Sequence, residues 1–284
     1  MPLILQSLSP LSAADLDAVR KVANASAFAP RSDTVAAAED CDSLTPALRD
    51  ALDAVCGARG IDWAVVPAGR KLSDFRLVAM DMDSTLITIE CIDEIADFCG
   101  LKAEVSAITE AAMRGEITDF NESLRRRVAL LKGLDASVLD RVYAERLRLS
   151  PGAEQMLEAV QALGLKTLLV SGGFVHFTDQ LKPRLKLDFT RANTLEIVDG
   201  KLTGNVVGEI VNADVKARTV REVCAQIGAD PSQAIVMGDG SNDLKMMAVA
   251  GLSVAFRAKP VVRAQASVAF NHVGLDGLLN LFPR

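Results

Sequence analysis

The chain has 284 residues, of which 50% are hydrophobic, and it carries a formal net charge of -6 with a sequence pI of about 5.1. It is long enough to bury a sizeable core in one large domain or in two unequal ones. The acidic balance argues against a nucleic-acid-binding surface, because binding to the phosphate backbone requires clustered Lys and Arg.

Residues 1–74 predict a small α/β module. A short strand at Leu3–Gln6 precedes an Ala-rich helix at Ala13–Ala25, and a polar stretch leads to a second helix at Thr45–Cys56. The first residues lack the basic and apolar regions of a signal peptide, and no apolar run in the chain reaches the ~18 residues of a membrane span. We therefore expect a cytoplasmic protein that does not bind a membrane.

Residues 75–284 predict an α/β domain in which short apolar runs alternate with helical patterns. Runs that are apolar on both faces fit buried parallel strands. We expect a doubly wound, Rossmann-like parallel sheet in a three-layer α/β/α core, with ligands bound beyond the carboxyl ends of the strands. The predicted strands are Leu77–Met80, Leu165–Val170, Ala234–Met237 and Leu252–Phe256.

Two insertions interrupt this alternation. Residues 92–149 have helical periodicity and no strand signal, which predicts an inserted helical cap. A later segment places Asp199-Gly200 between two strand-like runs, and this dipeptide favours a two-residue hairpin turn.

Carboxylates follow two of the predicted strands. Asp81 and Asp83 come directly after the first, and Asp239 and Asp243 follow the third. The first pair alone is also typical of a helix cap or a turn. Carboxylates gathered at one sheet edge, however, must either take up protons or hold a cation, and an oxygen-only set favours Mg2+.

Cysteine and histidine offer no alternative metal ligands near these carboxylates. His176 and His272 each lack a partner at ligand spacing, and the cysteines lack the paired short spacings of a zinc site. We expect reduced core thiols at Cys41, Cys56, Cys91, Cys99 and Cys224.

Two further segments bring groups that suit an anion. Ser171-Gly172-Gly173 supplies a hydroxyl and flexible amides, which we expect to open a helix and to bind phosphate. Lys216 lies before a later helix. Taken singly, the first segment is an ordinary helix start and the second a solvated lysine.

The order of these motifs carries the functional inference. Their sequence resembles the signature of the haloacid dehalogenase superfamily, and within it the phosphoserine phosphatase family. The motifs are, in chain order, Asp81-Met82-Asp83-Ser84-Thr85-Leu86, Ser171-Gly172-Gly173-Phe174, Lys216 and Gly238-Asp239-Gly240-Ser241-Asn242-Asp243. The resemblance covers residues 74–284. It implies hydrolysis of the small molecule O-phospho-L-serine through a phosphoaspartate, as the last step of serine biosynthesis.

The resemblance also implies a role for each site residue. Asp81 would be the nucleophile, Asp83 the general acid and then base, and Lys216 a cation on the phosphoryl group. Mg2+ would be bound by Asp81, Asp239 and the backbone carbonyl of Asp83, with Asp243 supporting the metal or Lys216. Substrate contacts are implied at Glu90, Met113, Phe120, Arg127, Ser171, Gly172, Gly173, Lys216 and Asn242.

The segment Asp119–Leu131 predicts an amphipathic helix in the cap. At about 100° per residue, Arg125 and Arg126 point away from the apolar stripe, whereas Arg127 falls back near Phe120. A charge on an apolar stripe needs a partner, either an internal carboxylate or the carboxylate of a ligand. Phe120 and Met113 are as easily explained as core residues from the bare sequence.

Three alternatives stay open at this point. The same motifs fit a superfamily member that transfers phosphate to another alcohol or hydrolyses another phosphomonoester. A signalling receiver also gathers carboxylates, Mg2+, a hydroxyl and a lysine, although Asp83 and the cap argue against it. Residues 1–74 fit either the regulatory ligand-binding domain of the ACT type that many relatives carry, or a part that only stabilises or dimerises the enzyme as a homodimer.

Overall fold

The computed structural model describes residues 1–67, 69–113 and 116–283, with the backbone alone at residues 112 and 113. The amino-terminal elements are β1 (Leu3–Ser7), α1 (Ala13–Ala23), β2 (Ala29–Ser32), β3 (Val35–Ala38), α2 (Pro46–Gly57) and β4 (Ile61–Val65). The remaining elements are β5 (Leu77–Met80), α3 (Cys91–Phe98), α4 (Lys102–Met113), α5 (Phe120–Ala129), α6 (Ser137–Glu145), α7 (Ala153–Ala162), β6 (Lys166–Phe174), α8 (Val175–Leu185), β7 (Phe189–Val198), β8 (Lys201–Val207), α9 (Ala213–Gln226), β9 (Ala234–Gly238), α10 (Leu244–Met247), β10 (Leu252–Phe256), α11 (Pro260–Arg263) and β11 (Val268–Phe270).

The amino-terminal segment folds as β-α-β-β-α-β with strand order β2-β3-β1-β4 and antiparallel neighbours, which is the ferredoxin-like arrangement. Ser12 caps α1 by accepting the Asp15 N–H at 3.2 Å, and Thr45 caps α2 ahead of Pro46. Sequence patterns indicated only the first of these strands. β2 and β3 have four residues each, and β3 consists mainly of alanine, which has little strand preference.

The module shares a continuous hydrophobic core with the rest of the chain. Ile4, Val35 and Ala64 belong to the same buried cluster as residues from the large sheet. Asp62 on β4 is 1% exposed and accepts the backbone N–H groups of residues 271, 272 and 273 at 2.8, 2.9 and 2.9 Å. These bonds satisfy a buried carboxylate that would otherwise be costly, and they fix the module to the segment after β11.

A seven-stranded sheet of order β11-β10-β9-β5-β6-β7-β8 forms the centre of residues 75–283, with β8 antiparallel and the other neighbours parallel. Alternate residues of β5 enter different cores: Val78 and Met80 face one helical layer, and Leu77 and Ala79 face the other. This confirms the predicted α/β/α core. Because β5 and β9 are neighbours, the segments that follow them lie side by side.

The structure corrects the prediction for Ser171-Gly172-Gly173. These residues do not open a helix but form an irregular continuation of β6, with a register shift between Val170 and Phe174, and α8 begins only at Val175. Pairing of Phe174 with Asn193 of β7 holds the segment extended. The predicted hairpin joins β7 to β8, with φ of 51° at Asp199 and 75° at Gly200, the two positive values that a type I′ turn requires.

Helices α3 to α6 lie between the two chain crossings that join the cap region to the sheet. The crossings pair antiparallel at Ile87 and Leu149, and the Ser150 N–H donates to the Leu86 carbonyl at 2.9 Å. In the part of the chain that the structure describes, none of the helices has the length and apolar character needed to cross a membrane.

Candidate active site

Asp81 directly follows β5 and is 5% exposed. Its Oδ1 accepts the Met82 N–H at 2.7 Å, and its Oδ2 lies 2.6 Å from Lys216 Nζ. Burial, followed by the charge of Asp243, raises the pKa of Asp81 well above its usual value. The carboxylate is therefore held in one orientation at the sheet edge.

Lys216 and Asp243 form a buried pair beneath Asp81, with Nζ 2.7 Å from Asp243 Oδ1 and both side chains 0% exposed. Burial alone would lower the pKa of Lys216, but the charges of Asp243 and Asp81 raise it. Asp243 Oδ2 also accepts the N–H groups of Asp239 and Gly240 at 3.1 and 3.0 Å. A Cβ at Gly238 would lie 2.4 Å from that oxygen, so only glycine fits there.

Asp83 lies in the turn that follows Asp81 and lines the same cavity. The turn is completed by Ser84 in the left-handed region at φ 54°, a conformation that costs a non-glycine residue on the order of 1 kcal/mol. Burial, followed by the charge of Glu90, raises the pKa of Asp83 to about 8. Its Oδ1 is buried and, among the described residues, has no hydrogen-bond partner. The raised pKa favours the protonated form of this carboxyl at neutral pH, and its Oδ1 is free among the described residues.

Asp81, Asp239 and Asp243 each place an oxygen within 4.8 Å of the others, so they can hold a divalent cation. Thr85 orients Asp239 by donating its hydroxyl at 3.0 Å. Burial, followed by the charge of Asp243, raises the pKa of Asp239 to about 6. The oxygens of Asp243 already accept three hydrogen bonds, whereas Asp239 and Asp81 face the cavity.

The Ser171-Gly172-Gly173 segment lies against this carboxylate cluster. Ser171 is fully buried and accepts the Gly173 N–H at 2.8 Å. A Cβ at Gly173 would lie 2.9 Å from Asp83 Oδ2, and one at Gly172 would lie 3.2 Å from the Phe120 ring. The segment therefore brings backbone amides close to both the carboxylates and the cap.

The cap contributes the other wall of the cavity. Arg127 lines it from α5 and donates its Nε–H to the Ser123 carbonyl at 3.4 Å, while Arg125 and Arg126 are exposed. Within the described ranges Arg127 forms no ion pair; burial lowers its pKa, and the charges of Asp93 and Glu90 oppose this shift. Its guanidinium is therefore available to a ligand.

Glu90 directly precedes α3 on the same wall and accepts the Ser84 hydroxyl at 2.6 Å. Burial raises its pKa, and the Ser84 hydrogen bond and Arg127 oppose the shift. Phe120 and Asn242 also line the cavity, whereas the Met113 side chain lies outside the described residues. The structure thus brings together every other residue predicted for the site.

The cavity between the cap and the sheet edge has a volume of about 800 Å³. Sequence reasoning missed several residues around it. Thr85 and Asp93 stand close to residues already singled out and could have been found from that proximity. Asn193 could not, because it is a lone amide whose partners lie far away in sequence. Asn212 could be found as the cap of the helix that follows it, but not its bond to Asn121, which lies 91 residues away.

Comparison with known proteins places this site in a family. Residues 75–251 match haloacid dehalogenase-like hydrolase, and residues 3–52 match a domain of unknown function, DUF4072. A phosphoserine phosphatase from Polaromonas sp. (strain JS666) is 60% identical over 215 residues, 74% of this chain and 91% of that protein.

Two solved structures extend the comparison. A probable phosphoserine phosphatase from Vibrio cholerae, in unliganded form, has a TM-score of 0.82 at 37% identity, covering 99% of this chain and 85% of that one. A phosphoserine phosphatase with an analogue of the phospho-aspartyl intermediate has a TM-score of 0.69 at 36% identity, covering 75% of this chain and 100% of that one. The first similarity includes the amino-terminal module, and the second is to a protein of the length of the catalytic part.

Proposed function

The chain belongs to the haloacid dehalogenase-like hydrolases, and within them to the phosphoserine phosphatases, and from this premise we propose that it hydrolyses O-phospho-L-serine to L-serine and phosphate. One observation carries the choice of substrate. A single cavity has the Asp81–Lys216 pair at its base. On its cap side lie the carboxylate of Glu90 and the guanidinium of Arg127, which has no ion pair among the residues that the structure describes. The phosphate, carboxylate and ammonium groups of phosphoserine would each contact a group of opposite charge.

In the first step Asp81 attacks phosphorus, the bond between phosphorus and the serine oxygen breaks, and Asp83 gives its proton to that oxygen. The raised pKa of Asp83, about 8, keeps this proton available at neutral pH. In the second step the Asp83 carboxylate takes a proton from the water that attacks the phosphoaspartate. Phosphate leaves and Asp81 is regenerated.

Lys216 supports both steps by staying charged next to Asp81. The Ser171 hydroxyl, the amides of Gly172 and Gly173, and the Asn242 side chain would hold the phosphoryl oxygens. General acid catalysis contributes only about 10² to 10⁴-fold, so most of the acceleration must come from the nucleophile and the cations. Phe120, together with Met113, would cover the bound substrate.

We assign Mg2+ as the cation, because the available ligands are all oxygens. Asp81, Asp239 and the backbone carbonyl of Asp83 would hold it, and it would supply a Lewis acid that neutralises charge on the phosphoryl oxygens. The hydrogen bonds to both oxygens of Asp243 favour a supporting role for that residue, orienting Lys216 and the loop that carries Asp239.

We expect Mg2+ affinity to fall by about tenfold or more per pH unit below pH 6. Burial raises the pKa of Asp239 to about 6 and raises that of Asp81 well above its usual value, so protons compete with the metal for their oxygens. Calorimetric titration of the substrate-free protein between pH 5 and 8 measures this. Asp239→Asn should bind weakly at every pH, whereas a wild-type affinity that is constant from pH 5 to 7 would contradict the metal assignment.

Product analysis tests the substrate itself. With phosphoserine we expect equal amounts of serine and free phosphate, and a higher kcat/KM than with phosphoethanolamine, which lacks the carboxylate. Added glycerol at high concentration should leave the yield of free phosphate unchanged. Formation of glycerol phosphate would instead favour a phosphotransferase, and a single slow turnover would favour a receiver.

We further propose that residues 75–284 form the phosphatase domain, with the cap at 92–149, and that residues 1–74 form a separate module that stabilises it. The Asp62 bonds to residues 271–273 and the shared core support this role. The cysteines Cys41, Cys56, Cys91, Cys99 and Cys224 are free thiols, which supports a cytoplasmic location. Release of L-serine as the product would make the reaction the last step of serine biosynthesis.

A further inference from the structure

Asn212 uses both ends of its side-chain amide at the start of α9, the helix that carries Lys216. Its Oδ1 accepts the N–H groups of Asp214 and Val215, both at 3.1 Å, and so caps the helix. Its Nδ2 donates to Asn121 Oδ1 at 3.1 Å, across 91 residues of sequence. One side chain therefore joins the Lys216 helix to the first turn of the cap helix α5.

This contact closes a ring of contacts beside the cavity, and two members of the ring, Phe120 and Gly172, line the cavity itself. Phe120, next to Asn121, lies over Gly172. The Gly172 carbonyl accepts from Asn193 Nδ2 at 2.7 Å, and Asn193 Oδ1 accepts the Val211 N–H at 2.8 Å, directly before Asn212. Asn193 is 1% exposed, so these bonds are shielded from water. The cap, the glycine segment and the Lys216 helix are thus connected in one circuit.

We propose that Asn121 and Asn212 form a latch that holds the cap closed over the cavity, which makes Asn212 a positioning residue for both the cap and Lys216. The inference rests on the proposed function only for the choice of phosphoserine as the assay substrate. A partly buried hydrogen bond between neutral groups shifts an equilibrium by about five- to tenfold. We expect removal of the latch to lower the ratio of closed to open cap by that factor.

Asn212→Ser removes the latch but keeps the helix cap, so the effect of the latch can be measured by itself. Serine caps helices about as well as asparagine but is too short to reach Asn121. The variant should raise KM for phosphoserine by about five- to tenfold and change kcat by less than twofold, because Lys216 keeps its place. Asn212→Ala, which loses the cap as well, should also lower kcat.

Asn121 provides the second half of the test. Asn121→Ala should reproduce the KM of Asn212→Ser. The KM of the double variant should be no higher than that of either single variant, because both changes remove the same bond. Asn121→Asp keeps an acceptor for the Asn212 amide and should behave nearly like the wild type. Asn205→Ser, in the exposed hairpin, is the matched control and should change nothing.

Hydrogen exchange of residues 117–124, measured with Mg2+ and inorganic phosphate, reports cap opening without any turnover. We expect about fivefold faster exchange in Asn212→Ser and Asn121→Ala, and wild-type exchange in Asn121→Asp. Additive effects of the two single changes, or unchanged exchange in both, would overturn the latch. If exchange follows this pattern while the wild type fails to release serine, the latch stands and the proposed substrate is wrong.

Discussion

Asp81→Asn should lower kcat for phosphoserine by about 10⁴-fold or more and remove the covalent phosphoenzyme. An amide has almost no nucleophilicity, and without attack by Asp81 the two-step route is lost. The substitution nearly preserves shape, and Lys216 keeps its bond to Asp243 at 2.7 Å, so the site should stay assembled. Phosphate release and acid-quenched labelling with phosphorus-32 measure the two effects.

Asp83→Asn is the matched control, because it removes a neighbouring carboxyl with a different role. p-Nitrophenyl phosphate has a leaving group that needs no proton, so this variant should still form the phosphoaspartate. It should also accumulate it, since no base activates the attacking water. A hydroxylamine-sensitive phosphoenzyme that persisted in Asp81→Asn would refute the assignment of the nucleophile.

The catalytic end of the sheet could be predicted because its residues follow strands that are apolar on both faces. Asp81 and Asp239 come directly after such strands, and parallel neighbours bring their ends together. Helical periodicity likewise indicated which arginine of three turns toward the cavity. In both cases a local pattern fixes the direction of a side chain, and one further rule of packing fixes its neighbours.

The remaining features depend on tertiary contacts that leave no local pattern. Asn193 bridges Gly172 and Val211, and nothing in its own surroundings distinguishes it from a surface amide. The Ser171 segment was misassigned to a helix start because glycine fits either a helix start or a bulged strand, and pairing with β7 decides between them. Strand β3 was missed because burial, rather than residue preference, stabilises it.

Arg127→Ala should lower kcat/KM for phosphoserine by about 10²-fold or more. The guanidinium faces the cavity with no ion pair among the described residues, so a substrate carboxylate can accept two parallel hydrogen bonds from it. Removing one side of such a pair leaves the other charge unmatched, which typically costs a few kcal/mol, and each 1.4 kcal/mol corresponds to about tenfold. Steady-state assays with phosphoserine and phosphoethanolamine measure the loss.

In the same variant kcat/KM for phosphoethanolamine should fall only severalfold, because this substrate lacks the carboxylate. A small loss is expected, since the charge of Arg127 lowers the pKa of Glu90 and so favours the ionised form that would bind the ammonium group. Arg127→Lys keeps that charge but not the planar fork of the guanidinium. Its kcat/KM for phosphoserine should lie between the values of the wild type and Arg127→Ala. Arg125→Ala, on the exposed face of the same helix, should change little. Equal losses with both substrates would show that Arg127 supports the cap or the phosphate, and amino-acid specificity would then need another origin.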